Sequence, residues 1–583
     1  MSWRSVIVTM MVCWSMSALA GEIWITPDSS LADAIRQARE MKRTGQATTV
    51  AIHLTPGIYQ LYEPIRLRPE DSGLTIEGHG ATISGGRSIN VWKQQGEFYT
   101  ADIPDFNGRP VDFRQLWVNQ EKAVRARDVV DFEQMNNILT YDKKNQILWV
   151  PKAAVAKILK APYAEMVLHE MWCTSNLRIK SLTPQGDSVA VRFHDPEAKI
   201  QFEHPWPSPM TPNTGHPSPF YLTNAKELLD WPGEWYYDFH TQKLWYYPRD
   251  SEGMILGEAF TAVYPVVETL IEVVGTADQL VRDIIIKGIT FSHTTWMRPS
   301  GKGHVPLQAG MYLTEAYKLR PQIDRPNNHK LDNQGWLGRA DAAIEVSYAE
   351  NVSFDSCRFE HLGGSGLDYI IGCKGGKVSN CRFNDIAMNG LVIGSFSPEG
   401  LETHLPYRPE DTREVCNGQT IEQSEFCDIA NDDWGCVAIA AGYVSDINIE
   451  HNTIHDVSYT GISLGWGWNR DSVCMKDNKV HANLIYNYAQ HMYDCAGIYT
   501  LGNQPGTVIS ENVVRDIAKP SYVHDPNHWF YLYTDEGSSN ITVRDNWTPS
   551  EKYLQNANGP GNIWENNGPQ VDDKIKKNAG AKQ

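Results

Sequence analysis

The sequence predicts an all-β protein, a right-handed parallel β-helix, and a loose repeat in the C-terminal half is the main observation behind this prediction. Residues 357–367, 381–391 and 452–462 share one pattern: a short apolar strand, a polar turn, and a second strand led by glycine. Phe359 and Phe383, the apolar anchors of the first two copies, lie 24 residues apart. Repeats of this length are typical of stacked supersecondary units. Because no helical pattern separates the short strands, equivalent residues are expected to stack in columns about 4.8 Å apart.

One such column is polar, and it is the second observation in favour of the fold. The position two residues before each apolar anchor is occupied in turn by Cys357, Cys381, Ser424, Asn452, Asn483, Asn512 and, by continuation, Asn546. Asparagine tolerates the left-handed backbone of a tight turn, and stacked side-chain amides hydrogen-bond from rung to rung. We expect this column to be a structural ladder without a chemical role.

The first element along the chain is a predicted secretory signal peptide, residues 1–20. Arg4 precedes a short apolar run, and Ala18-Leu19-Ala20 provides the small residues of a cleavage site after Ala20. The mature protein is therefore expected to be exported, to the periplasm or the extracellular medium. Elsewhere the sequence contains no apolar stretch long enough to span a membrane.

Residues 21–96 are predicted to form an N-terminal cap and the first rungs. A short amphipathic helix follows the capping candidates Ser29 and Ser30, and its apolar positions are Leu31, Ala34, Ile35 and Ala38. We expect this helix to close the open end of the core.

Residues 97–265 lose the repeat and predict an inserted, β-rich accessory domain. Residues 234–238 and 243–247 have the pattern of a β-hairpin, and Trp235, Tyr236 and Tyr237 are expected near the interface with the solenoid or on the wall of its groove.

The main β-helix is predicted over 266–548, followed by a C-terminal tail, 549–583. Two long excursions interrupt its rungs, at 293–340 and 397–418. Loops of this length are usually functional or partly disordered, and on a β-helix they wall a groove along one face.

Composition excludes some partners and favours a glycan. The chain has 52 Lys and Arg against 70 Asp and Glu, a net charge of −18, which does not suit nucleic acid. It has 19 Trp and 26 Tyr, flat side chains on which sugars stack, although most are expected in the core. Ten cysteines, one of them (Cys13) in the signal peptide, leave an odd number in the mature chain, so complete pairing within a monomer is excluded. With no Cys-x-x-Cys pair a structural zinc site is not expected, and no metal or cofactor is predicted at the site.

Acidic residues, tryptophans and histidines cluster on a few neighbouring rungs of the predicted groove. Aligning the glycine-led strands brings together Asp432, Asp433, Asp494, Asp535, Glu536, Trp466, Trp468, His491 and His528. Two carboxylates that flank a glycosidic bond are the minimum for its hydrolysis, and tryptophan offers a flat surface for a sugar ring.

Each candidate also has a structural interpretation. An Asp before Gly commonly forms a turn, and this alternative stays open for Asp432 and Asp433. Asp494 and Asp535 are interpreted as functional, and Glu536 as either a partner or a solvated neighbour.

The aromatic candidates are also open to structural roles. Trp466 and Trp468 are expected in the groove, with stacking between rungs as the alternative, and His491 and His528 as supporting hydrogen-bonding groups. Asp494 precedes its strand and Asp535 follows the next, so a bend near Ala496-Gly497 is expected to bring them together.

Two tripeptides also occur in pectin-cleaving polygalacturonases. Gly78-His79-Gly80 and Arg178-Ile179-Lys180 follow an Asp-Asp pair there, but here both precede Asp432-Asp433. We interpret both matches as accidental.

Several longer motifs, in order along most of the mature chain, resemble the bacterial β-helix proteins of glycoside hydrolase family 141. They are Phe113-Arg114-Gln115-Leu116-Trp117-Val118-Asn119, 232–238, 461–468, Asp494-Cys495-Ala496-Gly497-Ile498-Tyr499-Thr500 and Tyr533-Thr534-Asp535-Glu536-Gly537. The resemblance implies a parallel β-helix with a β-rich accessory domain and α-L-fucosidase or xylanase action on plant cell-wall glycans. It implies Asp494 and Asp535 as the catalytic pair. One departure, Tyr531 where the pattern has glycine, is expected to narrow the groove.

Two other functions remain as alternatives to a glycoside hydrolase. A polysaccharide lyase would need an Arg or Lys base beside an acidic calcium cluster, and the basic residues Arg470, Lys476, Arg515 and Arg544 are in no Asp-rich pattern. A non-catalytic glycan-binding protein would bind without forming product. The sequence leaves open the glycan, its linkage, the stereochemistry, a structural calcium and the oligomeric state.

Overall fold

The computed structural model describes residues 20–204, 207–252, 261–315, 337–397 and 405–582. The predicted signal peptide, apart from Ala20, lies outside the described residues, as do parts of the two predicted excursions. Among the described residues no helix has the length and apolar character needed to cross a membrane.

Four helices and fifty strands are assigned within the described residues. The helices are α1 (Leu31–Arg43), α2 (Glu197–Glu203), α3 (Arg298–Lys302) and α4 (Asp573–Asn578). The first strands are β1 (Ala20–Ile25), β2 (Thr49–Leu54), β3 (Gly57–Gln60), β4 (Ile65–Leu67), β5 (Leu74–Ser84) and β6 (Gly86–Ile89). The inserted domain has β7 (Lys93–Gln95), β8 (Phe98–Asp102), β9 (Trp117–Val118), β10 (Glu121–Lys122), β11 (Val124–Arg125), β12 (Asn136–Asn137), β13 (Thr140–Asp142), β14 (Ile147–Pro151), β15 (Glu165–His169), β16 (Thr174–Gln185), β17 (Ser188–Phe193), β18 (Pro219–Thr223), β19 (Glu234–Asp238) and β20 (Lys243–Tyr246).

The remaining strands belong to the later rungs and their loops. They are β21 (Ala262–Pro265), β22 (Ile271–Val274), β23 (Val281–Thr294), β24 (Pro306–Gln308), β25 (Met311–Leu313), β26 (Leu337–Gly338), β27 (Ala342–Ser347), β28 (Ala349–Asp355), β29 (Arg358–Leu362), β30 (Ser365–Ile371), β31 (Lys377–Ser379), β32 (Arg382–Ile386), β33 (Leu391–Ile393), β34 (Cys416–Asn417), β35 (Thr420–Glu422), β36 (Glu425–Ile429), β37 (Ile439–Ala441), β38 (Val444–Ser445), β39 (Asn448–Glu450), β40 (Thr453–Val457), β41 (Ile462–Leu464), β42 (Lys479–His481), β43 (Leu484–Tyr486), β44 (Cys495–Thr500), β45 (Asn503–Ser510), β46 (Val513–Val514), β47 (Trp529–Thr534), β48 (Ser539–Arg544), β49 (Tyr553–Gln555) and β50 (Ile563–Glu565).

The strands stack into a three-sided parallel β-helix, which confirms the predicted fold. One face runs β4–β22–β27–β30–β33–β37–β41–β44–β47–β49, the second β2–β5–β23–β28–β31 and onward to β50, and the third β3–β5–β23–β29–β32 and onward to β46. The repeat anchors Phe359, Phe383 and Phe426 stack face to face, with ring centroids 4.4 and 4.5 Å apart. The early rungs join the later ones directly, because β5 pairs in parallel with β23. One core therefore extends along the whole solenoid.

Helix α1 closes the N-terminal end of this core as expected. The Ser30 side chain caps it by accepting a hydrogen bond from the Asp33 backbone N–H. Its buried residues are the four predicted from spacing: Leu31, Ala34, Ile35 and Ala38. These side chains cover the apolar end of the core, which an open first rung would expose to water.

The predicted asparagine ladder is present and extends one step further than expected. Asn452, Asn483, Asn512 and Asn546 are fully buried, and each donates its side-chain N–H to the next amide oxygen, over 3.0, 3.0 and 2.9 Å. Asn567 continues the ladder, accepting from Asn546 over 2.8 Å. Because each side chain also bonds backbone groups, the ladder fixes the turn of every rung that it crosses.

The cysteines are free thiols in the interior. None of the nine cysteines among the described residues is paired. Cys357 and Cys381 are buried on adjacent rungs and fill core space as small apolar side chains.

The inserted domain is β-rich, as its pattern predicts, and its two ends meet. Its sheets are β11–β19–β20–β8–β7 and β12–β18–β15–β16–β17–β14–β13, and the predicted hairpin is β19 with β20. The chain leaves the solenoid after β6 and returns on β21, which pairs antiparallel with β6. The insertion is therefore attached to the solenoid through one pair of neighbouring strands.

The domain packs on the side of the solenoid through polar contacts. The Trp117 indole N–H donates to Asp385 over 2.8 Å, and the Lys122 ammonium lies 2.8 Å from Asp432. Trp235, Tyr236 and Tyr237 were expected near the interface with the solenoid or on the wall of its groove. All three are buried in the domain's own cores, and none lines the cavity described below. They hold the domain together instead of contacting a ligand in that cavity.

The solenoid does not end at residue 548, and the predicted tail contains a further rung. Strand β49 pairs in parallel with β47, and β50 with β48. After α4 the chain turns back along the outer surface, where Gly580 donates its backbone N–H to the Ala482 carbonyl over 2.8 Å. The short strands of this rung escape the repeat pattern because their turns are rich in Asn and Gly.

Candidate active site

A cavity of about 300 Å³ lies at the C-terminal part of the groove, between the solenoid and the insertion. It brings together residues from six separate segments: Trp172, Gln308, Tyr459, Trp468, Asp494, Tyr499, Tyr533, Asp535, Glu536 and Asn556. Four of the nine candidates chosen from the sequence are among them. Two adjoining strands and the residues at their ends contribute half of these side chains. Tyr499 lies on β44 and Tyr533 on β47, while Asp494 precedes β44, and Asp535 and Glu536 follow β47.

Asp535 is buried and held by two hydrogen bonds. The Tyr499 hydroxyl donates to its Oδ2 over 2.5 Å, and the Asn556 amide donates to its Oδ1 over 2.7 Å. Burial raises the pKa of this carboxyl to about 6, and the negative charge of Asp494 adds to the rise, while the two hydrogen bonds oppose it. Asp535 therefore stays partly protonated near neutral pH.

Asp494 is more exposed and pairs with a histidine. Its Oδ1 lies 3.0 Å from His528 Nε2, and the two side chains are 22% and 37% exposed. The contact with Asp494 raises the pKa of His528 above its usual value against the effect of burial. His528 therefore contacts Asp494, and its supporting role stays a prediction.

The Asp494 backbone explains how its side chain reaches the cavity. Asp494 is in the left-handed region, with φ of 53°, and its carbonyl accepts a hydrogen bond from the Tyr459 hydroxyl over 2.9 Å. The predicted bend at Ala496-Gly497 is absent: β44 and β47 keep a constant register from Cys495↔Trp529 to Thr500↔Thr534. The redirection occurs one residue before the strand instead.

Tyr533 lines the cavity together with both carboxyl groups, Asp494 and Asp535. Burial raises the pKa of its hydroxyl far above the usual value, and the negative charges of Asp494 and Asp535 add to the rise, so the hydroxyl stays protonated. The cavity therefore holds two carboxyl groups and a neutral hydroxyl donor.

The two candidate tryptophans, Trp466 and Trp468, lie in different environments. Trp468 lines the cavity, whereas Trp466 is 1% exposed in the core and donates its indole N–H to Ser397 over 3.1 Å. Gly465 and Gly467 have φ of 96° and 89°, a conformation that breaks the two-residue alternation of a strand. Trp466 is therefore a core residue, and the prediction that placed it in the groove was wrong.

Three other candidates lie outside the cavity. His491 is stacked on Trp434 with ring centroids 4.2 Å apart, and burial lowers its pKa to about 3. Asp433 is buried and bonded to His304 over 2.8 Å, while Asp432 pairs with Lys122. These residues lie where the insertion packs on the solenoid. The alignment of the rungs had predicted that they share one site with Asp494 and Asp535.

Asp432, Asp433 and His304 line a second, larger cavity of about 440 Å³ at that interface. Its charges are compensated internally, for example by the buried pair of Arg114 with Glu165, 2.9 Å apart. We interpret it as part of the packing between the two domains.

Several site residues were not identified from the sequence. Trp172 comes from the insertion and is oriented by its indole N–H, which donates to the Leu307 carbonyl over 2.6 Å; Gln308 comes from β24 in the first excursion. Tyr459, Tyr499, Tyr533 and Asn556 complete the set. Tyr499 and Tyr533 stand inside the two most specific motifs, so motif membership could have identified them. Tyr531, expected to narrow the groove, does not line this cavity and is buried.

Comparisons with known proteins agree with this architecture. A family model described as the GH141 insertion domain matches residues 96–249, a range that begins one residue before the predicted inserted domain, 97–265, and otherwise lies inside it. A solved structure of a protein named glycoside hydrolase is 57% identical, covers 96% of this chain and 99% of its own, and superposes with a TM-score of 0.93.

More distant structures share less. The complex of XylC with xylose is 11% identical, with 92% of this chain and 70% of that chain covered and a TM-score of 0.45. PfbA, a surface adhesin of Streptococcus pneumoniae, is 11% identical, with 94% and 81% covered and a TM-score of 0.36. Neither likeness supports a functional argument, and no curated protein matches the chain. On the strength of 57% identity over nearly its whole length, and of the family 141 insertion domain, the chain belongs to the glycoside hydrolases as a family 141-like enzyme.

Proposed function

We propose that this glycoside hydrolase is exported and removes a sugar from a plant cell-wall type polysaccharide or oligosaccharide, in the manner of an α-L-fucosidase or a xylanase. Asp535 is the general acid, and Asp494 is the carboxylate that acts on the anomeric carbon or on the attacking water. The observation that carries the proposal is the pair of carboxyl groups in one cavity, of which Asp535 is buried and Asp494 is more exposed.

The different environments of the two carboxyl groups support these roles. A general acid must hold a proton at the working pH, and burial brings the pKa of Asp535 to about 6. Asp494 is less buried and faces the basic group of His528. Paired carboxyl groups in unlike environments divide acid and base work in this way.

The reaction begins when Asp535 donates its proton to the glycosidic oxygen and the electrons of the breaking carbon–oxygen bond pass to the leaving alcohol. If Asp494 is the nucleophile, it forms a bond to the anomeric carbon, and water then breaks that bond while Asp535 takes the water proton and is restored as the acid. If Asp494 is the base, it takes a proton from the water that attacks the anomeric carbon and later loses it to solvent, while Asp535 regains a proton from solvent.

The size of the cavity favours the end of a glycan over its interior. Its volume of about 300 Å³ is at the low end of the roughly 300–1,000 Å³ found for small-molecule sites. Trp468 and Trp172 provide flat walls for a sugar face. We therefore propose exo action on a terminal residue, for which α-L-fucosidase activity is the first assay and xylosidase or xylanase activity the second.

The test compares Asp494→Asn, Asp535→Asn and the control Asp432→Asn on aryl α-L-fucosides, aryl xylosides and cell-wall oligosaccharides. General acid catalysis contributes about 10²–10⁴-fold, so Asp535→Asn should lose at least that on natural oligosaccharides and less on aryl glycosides with good leaving groups. Asp494→Asn should be inactive on both, and Asp432→Asn should remain active. Full activity in either of the first two variants would contradict the assignment, and NMR of the first-formed anomer distinguishes nucleophile from base for Asp494.

A further inference from the structure

The Gly78-His79-Gly80 tripeptide, unexplained by the glycosidase site, lies in a cluster on the outer surface of the N-terminal rungs. In the parallel ladder, Trp24 of β1 is the register partner of His53 of β2, and His53 is the partner of Glu77 of β5. Gly78 is required by sterics, because a Cβ there would lie 2.5 Å from the Gly288 carbonyl oxygen. This close approach fixes the bend of β5 and directs His79 toward His53.

The donor atoms of His53, Glu77 and His79 converge. His53 Nδ1 lies 3.2 Å from His79 Nε2 and 3.6 Å from Glu77 Oε2, and all three donor atoms lie within 4.8 Å of one another. Two ligands of a tetrahedral zinc ion, each about 2.0–2.1 Å from the metal, are separated by about 3.3 Å. The first two distances bracket that value, and the third, between Glu77 and His79, is no more than 4.8 Å.

The surroundings hold these side chains in place. The Trp24 indole is stacked on both imidazoles, with ring centroids 4.3 Å from His53 and 5.3 Å from His79. Lys287 Nζ lies 3.0 Å from Glu77 Oε1, the oxygen turned away from His53. The lysine therefore orients the carboxylate and leaves its other oxygen available, as outer partners of metal ligands do.

We propose that His53, His79 and Glu77 form a binding site for a divalent transition-metal ion, with Zn²⁺ as the representative ion. The fourth coordination position faces solvent on the side of the exposed His79. The ion would join β2 to β5 close to α1, so it stabilises the N-terminal rungs without taking part in glycoside hydrolysis.

A second group of three donors provides the matched control. His455, Glu425 and Cys427 also converge, but the pKa of the Cys427 thiol is raised to about 11 by burial. His455 Nδ1 is already bonded to Asp456 over 2.6 Å. We therefore expect no zinc at this second group, and His455→Ala serves as the control variant.

The test is titration of the full mature protein, freed of metal by a chelator, with Zn²⁺ in a calorimeter and by equilibrium dialysis. The wild type should bind one equivalent, and Zn²⁺ should raise its melting temperature because the ion binds only the folded rungs. His79→Ala should weaken binding by more than the roughly 10–100-fold that loss of an outer partner causes, while His455→Ala should bind like the wild type. Lys287→Met should weaken binding by roughly 10–100-fold, because Glu77 loses the partner that orients its carboxylate.

His79 is exposed, so its replacement should leave the fold intact, and circular dichroism checks this. Glu77→Gln, of nearly the same shape, gives an independent loss of binding. Absence of bound Zn²⁺ in the wild type, or an unchanged equivalent in His79→Ala, would overturn the proposal. Loss of the equivalent in His455→Ala would assign the ion to the second group and would overturn it as well.

Discussion

The hydrogen bond from Tyr499 to Asp535 gives a prediction whose sign and size follow from the structure. Tyr499→Phe removes a donor that lies 2.5 Å from Asp535 Oδ2 and that favours the ionised carboxylate. Without it, the pKa of Asp535 should rise above its value of about 6. Because the proposed acid works only when protonated, the enzyme should then stay active to higher pH.

The size of the shift follows from the strength of the lost bond. Hydrogen bonds to charged groups contribute about 1.5–3 kcal/mol, and one pKa unit corresponds to 1.36 kcal/mol. Asp535 is 8% exposed, so water replaces the lost donor poorly. The alkaline limb of the pH profile should therefore move upward by about one to two pH units.

The assay is kcat/KM for a natural oligosaccharide, whose poor leaving group needs the acid, across the pH range, since this quantity reports the pKa values of the free enzyme. Asn556→Ala, which removes the other donor to Asp535, should move the same limb in the same direction. Tyr531→Phe, on the same strand as Tyr533 but outside the cavity, is the control and should leave it in place. An unmoved limb in both donor variants, or a shift to lower pH, would refute Asp535 as the acid.

Three further predictions concern the cavity wall, the insertion and the core. Trp468→Ala should raise KM for a glycan at least about tenfold while folding is retained, because a stacking platform is lost; initial rates against glycan concentration measure KM. Burial raises the pKa of Glu170 from 4.5 to about 8, so the unfolded state releases a proton that the folded state keeps, and wild-type stability should fall as pH rises between these values. Urea unfolding at pH 5 and pH 8.5 measures this: between the two, the free energy of unfolding of the wild type should fall by roughly 3–5 kcal/mol relative to that of Glu170→Gln. An equal pH dependence of the two proteins would contradict the prediction. Asn512→Ala leaves buried amide groups of its ladder neighbours without partners and should lower the free energy of unfolding by about 2–4 kcal/mol, against a smaller loss for Asn503→Ala near the surface.

Sequence periodicity predicted the solenoid because each rung is specified locally. An apolar anchor, a turn residue two positions before it and a glycine-led strand repeat in order, and stacking converts that order into the ladder at Asn452 and its successors. The same logic placed Asp494 and Asp535 on adjacent rungs, although it located the redirection of the chain at Gly497 instead of at Asp494 itself.

What the sequence could not provide were contacts between segments far apart in the chain. Trp172 and Gln308 reach the cavity through the docking of the insertion and the first excursion, and no repeat encodes that docking. Asp432 was aligned with Asp494 by rung, yet Lys122 of the insertion pairs with it. Trp466 and Trp468 were indistinguishable by spacing, because the positive φ angles of Gly465 and Gly467, which give the two side chains different directions, are seen only in the structure.

The antiparallel pairing of β6 with β21 has a consequence for how such enzymes diversify. Since departure and return of the insertion occupy neighbouring strands, and β5 contacts β23 without its help, the insertion is a module that recombination can exchange at a single seam. Such an exchange would replace Trp172, and with it one wall of the cavity, while Asp494, Asp535 and Tyr533 stay on rungs that the seam does not touch. If the proposed function holds, selectivity and chemistry are encoded in separable stretches of the chain.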